Sequence, residues 1–190
     1  MENAYKMFNE DLTCTMGRGT YQYEPGKWYE EDEANVRANG FHVCKNPLDC
    51  LDYYRRFESS QCWLCNIDGD IDEAGNDTAL SVQKIYLMER LTLPDFVIAA
   101  CMYIIKHPEQ PYNRNVTAGP AETNDNHFAL SVGPDARARG KLGDVLGILQ
   151  TYEGRRTVKE ATCFVVDGKR YKPGIWYGAD DRRWSDDQKA

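Results

Sequence analysis

His42-Val43-Cys44 followed by Cys62-Trp63-Leu64-Cys65 is the arrangement in this sequence best suited to chemistry, because one imidazole and three thiols make up the four ligands a zinc ion takes. The same residues fall near the zinc-deaminase pattern. That pattern needs a proton-shuttling Glu two residues after the His and a Pro ahead of the first Cys, where this chain has Cys44 and Gln61. Both departures argue against deaminase catalysis. A structural zinc meets a geometric objection, since Gln61–Ile67 alternates as a strand and period two sends residues three apart to opposite faces. Cys62 and Cys65 then diverge. His42, Cys44, Cys62 and Cys65 stay as candidate ligands only; the expected reading is buried thiols, no metal and no cofactor.

Other chemistry is poorly represented. Asp68-Gly-Asp-Ile-Asp72 begins like a calcium loop, but Glu73 stands where that loop needs Gly and Ala79 where it needs a bidentate Glu. Gly-rich phosphate cradles, G-x-S-x-G elbows and HExxH helices do not occur. Tyr5-Lys6, the Tyr21–Tyr29 stretch and Gly40-Phe-His-Val43 resemble the strand order of ADP-ribosyltransferases, with Lys6 in the place of their usual Arg or His. That resemblance implies a transferase acting on NAD or a nucleotide, with Tyr23, His42 and Asn46 lining its pocket. No catalytic Glu is evident beside these residues.

A chemistry of binding has better material. Arg137, Arg139 and Lys141 alternate along one short extended segment and so point the same way, with Arg155, Arg156, Lys159, Lys169, Arg170 and Lys172 following. Arg137 and Arg139 are the binding candidates of this part, toward an anionic partner or nucleic acid. Overall charge disfavours nucleic acid: 23 Lys and Arg against 30 Asp and Glu leave −7 on 190 residues. The acidic runs, Glu30-Glu-Asp-Glu33 and Asp68–Asp77, lie in the first part of the chain.

The elements that must carry these residues read as α+β. Short strands are expected at Ala4–Phe8, Thr20–Tyr23, Lys27–Tyr29 and Phe41–Cys44, with a glycine-flanked turn at Met16–Gly19. Asn46 and Pro47 form an N-cap and first helical residue, predicting a helix over Pro47–Arg56. Strands follow at Gln61–Ile67, stopped by Asp68–Gly69, and at Leu80–Arg90. Pro94–Lys106, apolar almost all round, is the second helix. Prolines and asparagines then suggest a connection. Glycines at 119, 133, 140, 147 and 154 keep a spacing of seven with Asn126 filling the one vacant place, which predicts short rungs of a β-solenoid, closed by a hairpin from Ala161–Val166 and Ile175–Tyr177. The expected layout is an N-terminal antiparallel or mixed sheet with two helices over 1–108, a connection over 109–126, and a β-rich part over 127–190.

Three stretches carry a resemblance: Ala4-Tyr-Lys-Met-Phe-Asn-Glu-Asp-Leu-Thr-Cys14 leading to Tyr21-Gln-Tyr-Glu-Pro-Gly-Lys-Trp-Tyr29; Gly40-Phe-His-Val-Cys-Lys-Asn-Pro-Leu-Asp-Cys-Leu-Asp-Tyr-Tyr54; and Val166-Asp-Gly-Lys-Arg-Tyr-Lys-Pro-Gly-Ile-Trp-Tyr177. Together they resemble a family of uncharacterised phage and prophage proteins whose first domain has no known function. Relative to that pattern, Thr15–Met16–Gly17 lengthens the first turn and leaves Arg18 unplaced. The resemblance implies a mobile-element origin and a two-part layout, and it brings no activity. The glycine rungs also resemble head repeats of trimeric adhesins, which admits a homo-oligomer.

Seven cysteines and no apolar leader after Met1–Glu2–Asn3 fit a reducing cytosol, here that of a bacterial host. The apolar stretch Leu93–Ile105 is too short to cross a bilayer, so no membrane partner is expected. The sequence therefore predicts a non-enzymatic interaction protein of phage origin whose partner is a host or phage protein, such as a defence protein or nuclease. Nucleic acid through the C-terminal basic residues is the less favoured partner, and the NAD- or nucleotide-dependent transferase is the alternative.

Overall fold

The structure, a computed structural model, describes residues 2–15, 19–36, 38–73, 75, 78–180 and 182–183. The turn expected at Met16–Gly19 lies mostly outside the described residues, as does Arg18. The chain divides into two compact units, Met1–Thr92 and Leu93–Ala190. The helix that precedes residues 109–126 belongs to the second unit.

The first unit runs β1 (Glu2–Asn9), β2 (Thr13–Cys14), β3 (Tyr21–Gln22), β4 (Trp28–Glu30), β5 (Phe41–Cys44), a 3₁₀ segment (Pro47–Asp52), β6 (Ser60–Glu73) and β7 (Ala79–Arg90). β1 pairs antiparallel with β6 from Glu2↔Ile67 to Asn9↔Ser60, and β6 pairs antiparallel with β7. β7 pairs with β5 on its other edge, and Tyr5↔Cys44 joins β5 back to β1. The ring β1-β6-β7-β5 is thus closed into a four-stranded barrel, with β4 continuing along β7 beyond β5. Closure follows from the length of β6 and β7, which gives each strand two partners and leaves few free edges.

Alternation along these strands decides what fills the barrel. Ala4 and Phe8 of β1, Phe41 and Val43 of β5, Trp63, Cys65 and Ile67 of β6, and Leu80, Val82, Ile85 and Leu87 of β7 form one buried cluster, closed by Tyr23 and Tyr29. Lys6 follows the same period two and is 5% exposed. Its ammonium donates to the His42 carbonyl at 2.7 Å and lies over the rings of Phe8 and Tyr23.

Two expectations need correction in this unit. The helix expected over Pro47–Arg56 is a six-residue 3₁₀ segment ending at Asp52. Leu48 and Leu51, three apart, are both buried, and the threefold turn is the one that eclipses residues at that spacing. Asn46 does cap it, accepting from the Leu48 N–H at 3.1 Å. Strand β6 is not stopped at Asp68–Gly69. It continues to Glu73 through a register shift between Asp68 and Ile71, with Gly69 at φ +78 where a side chain is disfavoured.

The second unit runs α1 (Leu93–Lys106), β8 (Val116–Ala118), β9 (Ala121–Glu122), β10 (Phe128–Gly133), β11 (Arg137–Arg139), β12 (Val145–Thr151), β13 (Val158–Val165) and β14 (Tyr177–Gly178). One sheet has the order β13-β12-β10-β8, the other β14-β11-β9. Segment 109–126 is therefore no idle connection, since β8 and β9 contribute one strand to each sheet. Phe96, Val97, Ala100, Cys101 and Ile104 form the buried stripe of α1, which packs on β10, β12 and β13. Gly147 of β12 permits that approach: a Cβ there would lie 2.7 Å from Leu130 Cδ2, 2.9 Å from Cys101 Sγ and 3.1 Å from Val97 Cγ1.

The α+β reading with two helices and a solenoid is overturned. The described chain is mostly β, with one α-helix and one 3₁₀ segment. Parallel neighbours do occur, but Leu130 pairs with Val116, 14 residues back, whereas Phe128 pairs with Val145, 17 residues on. The seven-residue register is lost within two steps. β13 and β14 then return antiparallel and end both sheets, so no stack of equal rungs forms.

Candidate functional site

The Arg-Ala-Arg run of β11 is the point from which a site can be built. Ala138 is wholly buried among Ala121, Ala136 and Tyr177, so period two turns Arg137 and Arg139 together to the other face. β14 pairs antiparallel with β11 at Ala138↔Tyr177, which brings Trp176 alongside Arg139. Both guanidinium groups lie over the Trp176 indole, Arg139 at 4.7 Å and Arg137 at 5.7 Å from the ring centroid. Carboxylates fix the arginines from outside. One Arg137 nitrogen donates to both Asp135 oxygens at 2.9 and 3.0 Å, and Arg139 donates to Glu122 of β9 at 2.7 Å. The structure thus brings Arg137 and Arg139 together around a tryptophan, each with its charge met by a carboxylate.

A tyrosine clamp sets the position of Trp176. Lys172 N–H donates to the Tyr177 hydroxyl at 2.6 Å across the Pro173–Gly174 turn, and Tyr171 stacks on Phe164 at 3.8 Å. Asp167 accepts from the N–H groups of Lys169 and Tyr171, which holds its carboxyl below the usual range. The same device occurs in the first unit: Glu24 N–H donates to the Tyr29 hydroxyl at 2.6 Å across Pro25–Gly26. The shared pattern is Tyr-x-Pro-Gly-x-Trp-Tyr, at Tyr23–Tyr29 and Tyr171–Tyr177. Its first copy presents Trp28, which is exposed and packs on Tyr86 at 5.5 Å. Neither this repeat nor Trp176 is among the site candidates of the sequence, although the two seven-residue strings agree at five positions.

The nucleotide-pocket residues are not brought together. Tyr23 is buried in the barrel core, where burial drives its phenol far above the ordinary value. His42 is exposed on the other face of β5; partial burial and then the Lys6 ammonium hold its imidazole below the usual value. Asn46 is buried and spends its side chain on the 3₁₀ cap and on Asp49, at 3.3 Å. Asp49 in turn accepts from the Thr78 hydroxyl at 2.7 Å.

The candidate zinc ligands also separate. Cys44 is buried while His42 is exposed, although the two stand two residues apart on one strand. Cys65 lies in the barrel core opposite Ala4, whereas Cys62 is opposite Met7 on the outer side of β1. Burial pushes the Cys62 thiol well up and the Cys65 thiol up to about 12. Among the described residues, no cluster of three or more His, Cys, Asp or Glu is placed to hold a metal ion. Asp68, Asp70 and Asp72 lie along β6 rather than around a loop.

A second polar constellation escaped the sequence reading. Asp144, 2% exposed, accepts from the Thr123 hydroxyl at 2.6 Å and from the Lys141 N–H at 2.8 Å, and lies 3.0 Å from His127 Nδ1. Burial opposes its charge, but these hydrogen bonds outweigh it and hold the carboxyl below the ordinary range. His127 has a left-handed backbone, φ +60, and a half-exposed ring. The carboxylate orients this imidazole, yet the hydroxyl beside it serves the carboxylate instead of the ring. The arrangement fastens the turns at 123–127 and 141–144, and its only sequence signal is an Asn124-Asp-Asn-His127 turn cluster.

No curated protein and no solved structure matches this sequence. Among the described residues no helix is long and apolar enough to cross a membrane. The profile of one family, a domain of unknown function (DUF7666), matches residues 3–99, which is the barrel and the start of α1, and the chain belongs to that family.

Proposed function

We propose that this chain is a non-enzymatic interaction protein, and that the outer face of β9, β11 and β14 binds a protein partner. The observation that carries the reading is Trp176 held under Arg137 and Arg139. Trp and Arg supply large contact area with little rotamer freedom left to lose, and they dominate the energetics of protein interfaces. Asp135 and Glu122 meet the two positive charges, which favours a mixed polar protein surface over the polyphosphate of nucleic acid. The resemblance to phage and prophage proteins supports a mobile-element origin and a bacterial cytoplasm as the place of action, with a host defence protein or nuclease as the partner.

Affinity capture from a host carrying defence systems tests this directly. The wild-type chain should retain a defined protein that Trp176→Ala loses by at least about tenfold, as for a central aromatic contact. Equal retention by Trp176→Ala and wild type, or no partner retained by folded wild-type bait, overturns the reading. The transferase alternative has no geometric support, because Tyr23, His42 and Asn46 do not face a common space.

A further inference from the structure

We propose that Cys101 and Cys163 are a redox-active thiol pair, and that peroxide converts them to a reversible disulfide joining α1 to β13. Both belong to the second unit, and both are free thiols in this structure. Their proximity is fixed by Gly147. Cys163 is directly opposite Gly147 in the antiparallel β12–β13 pair, so its side chain leaves the sheet on the face that a Gly147 side chain would use. Cys101 Sγ occupies that same space, 2.9 Å from where the Gly147 Cβ would be. The two thiols are hydrogen-bonded to each other.

Their environments assign different roles. Cys101 is 6% exposed on the buried stripe of the helix, and its thiol is held well above the ordinary value, first by the hydrogen bond it gives Cys163 and then by burial. Cys163 is partly exposed on β13, and the hydrogen bond from Cys101 lowers its thiol against the opposing effect of burial. The more acidic and more accessible sulfur is the nucleophile. The other four buried cysteines, Cys44, Cys50, Cys62 and Cys65, lie in the barrel unit.

The chemistry balances in two steps with hydrogen peroxide as oxidant. The Cys163 thiolate attacks one peroxide oxygen, the O–O bond breaks, and the product is a sulfenic acid with hydroxide leaving as water after protonation. Cys101 sulfur then attacks the Cys163 sulfur, the S–O bond breaks, and a second water leaves with the Cys101 proton. Two thiols lose two electrons to the peroxide, and a dithiol reductant returns them.

Peptide mapping of the full chain tests the assignment. Cleavage after Lys and Arg places Cys101 alone in peptide 91–106 and Cys163 alone in peptide 160–169. After mild peroxide, the folded wild type should yield these two peptides cross-linked, and a dithiol should release them. Cys101→Ser should instead leave Cys163 as a sulfenic acid trapped by a dimedone probe, while Cys44→Ser keeps the cross-link. Before oxidation, alkylation of Cys163 should exceed that of Cys101 by about tenfold or more, a readout on the wild-type chain that needs no variant. The proposal fails if the folded wild type gives no 91–106 to 160–169 cross-link, or if Cys163 alkylates no faster than Cys101.

Discussion

Asp144 shows how one side chain can hold several turns at once. Three donors converge on a carboxylate that is almost wholly buried, and each loses that acceptor if the carboxylate is removed. Asp144→Ala is expected to cost about 2–4 kcal/mol, on the scale of a buried polar network broken at its centre. The pH dependence has a definite sign. The folded carboxyl lies below its unfolded value near 4, so its contribution is present above about pH 4 and is lost as pH falls through the folded value. Thermal melting of wild type and Asp144→Ala from pH 7 to pH 3 should therefore show a gap that is widest near neutrality and narrows below pH 4. A gap of constant size would mean that the carboxylate charge plays no part.

The recurring element is the tyrosine-clamped Pro-Gly turn. In each unit a tyrosine hydroxyl accepts a backbone N–H at 2.6 Å from the residue before the proline, and the turn then places a tryptophan on the opposite side of the strand from that tyrosine. Removing the hydroxyl leaves the N–H unmet without opening a cavity. Tyr29→Phe and Tyr177→Phe should each lower stability by about 1–2 kcal/mol in urea unfolding, and by similar amounts because the local geometry is shared. A loss confined to one of the pair would show that the two turns are alike in sequence only. The same element explains why β14 begins only at Tyr177 although Ile175–Tyr177 reads as strand. Pro173 and Gly174 with the clamp hold the preceding residues in the turn.

Charge is the property that belongs to the whole molecule. Residues 1–92 carry 17 acidic and 9 basic side chains, and residues 93–190 carry 13 and 14, so all the excess acid lies in the barrel unit. The second unit is close to neutral, and its two best-placed arginines are already ion-paired. Retention on heparin should accordingly be lost by about 0.15 M salt, because few phosphate-like contacts are available to release counterions. Elution above about 0.3 M would point to a polyanion partner. Much of the element pattern was legible in the sequence: Phe41–Cys44, most of β1 and β7, the first half of β6, and α1 to within a residue are read from alternation and capping. The opposed faces of Arg137 and Ala138 followed from the same period two. By itself the sequence determined which residues share a face, because side-chain direction repeats locally along a strand or helix. It could not determine which strands meet. The single Tyr5↔Cys44 pair that closes the barrel, the approach of α1 over Gly147, and Trp176 beside Arg139 join residues tens of positions apart. Those contacts are chosen by burial of the whole core, and only the tertiary structure decides them.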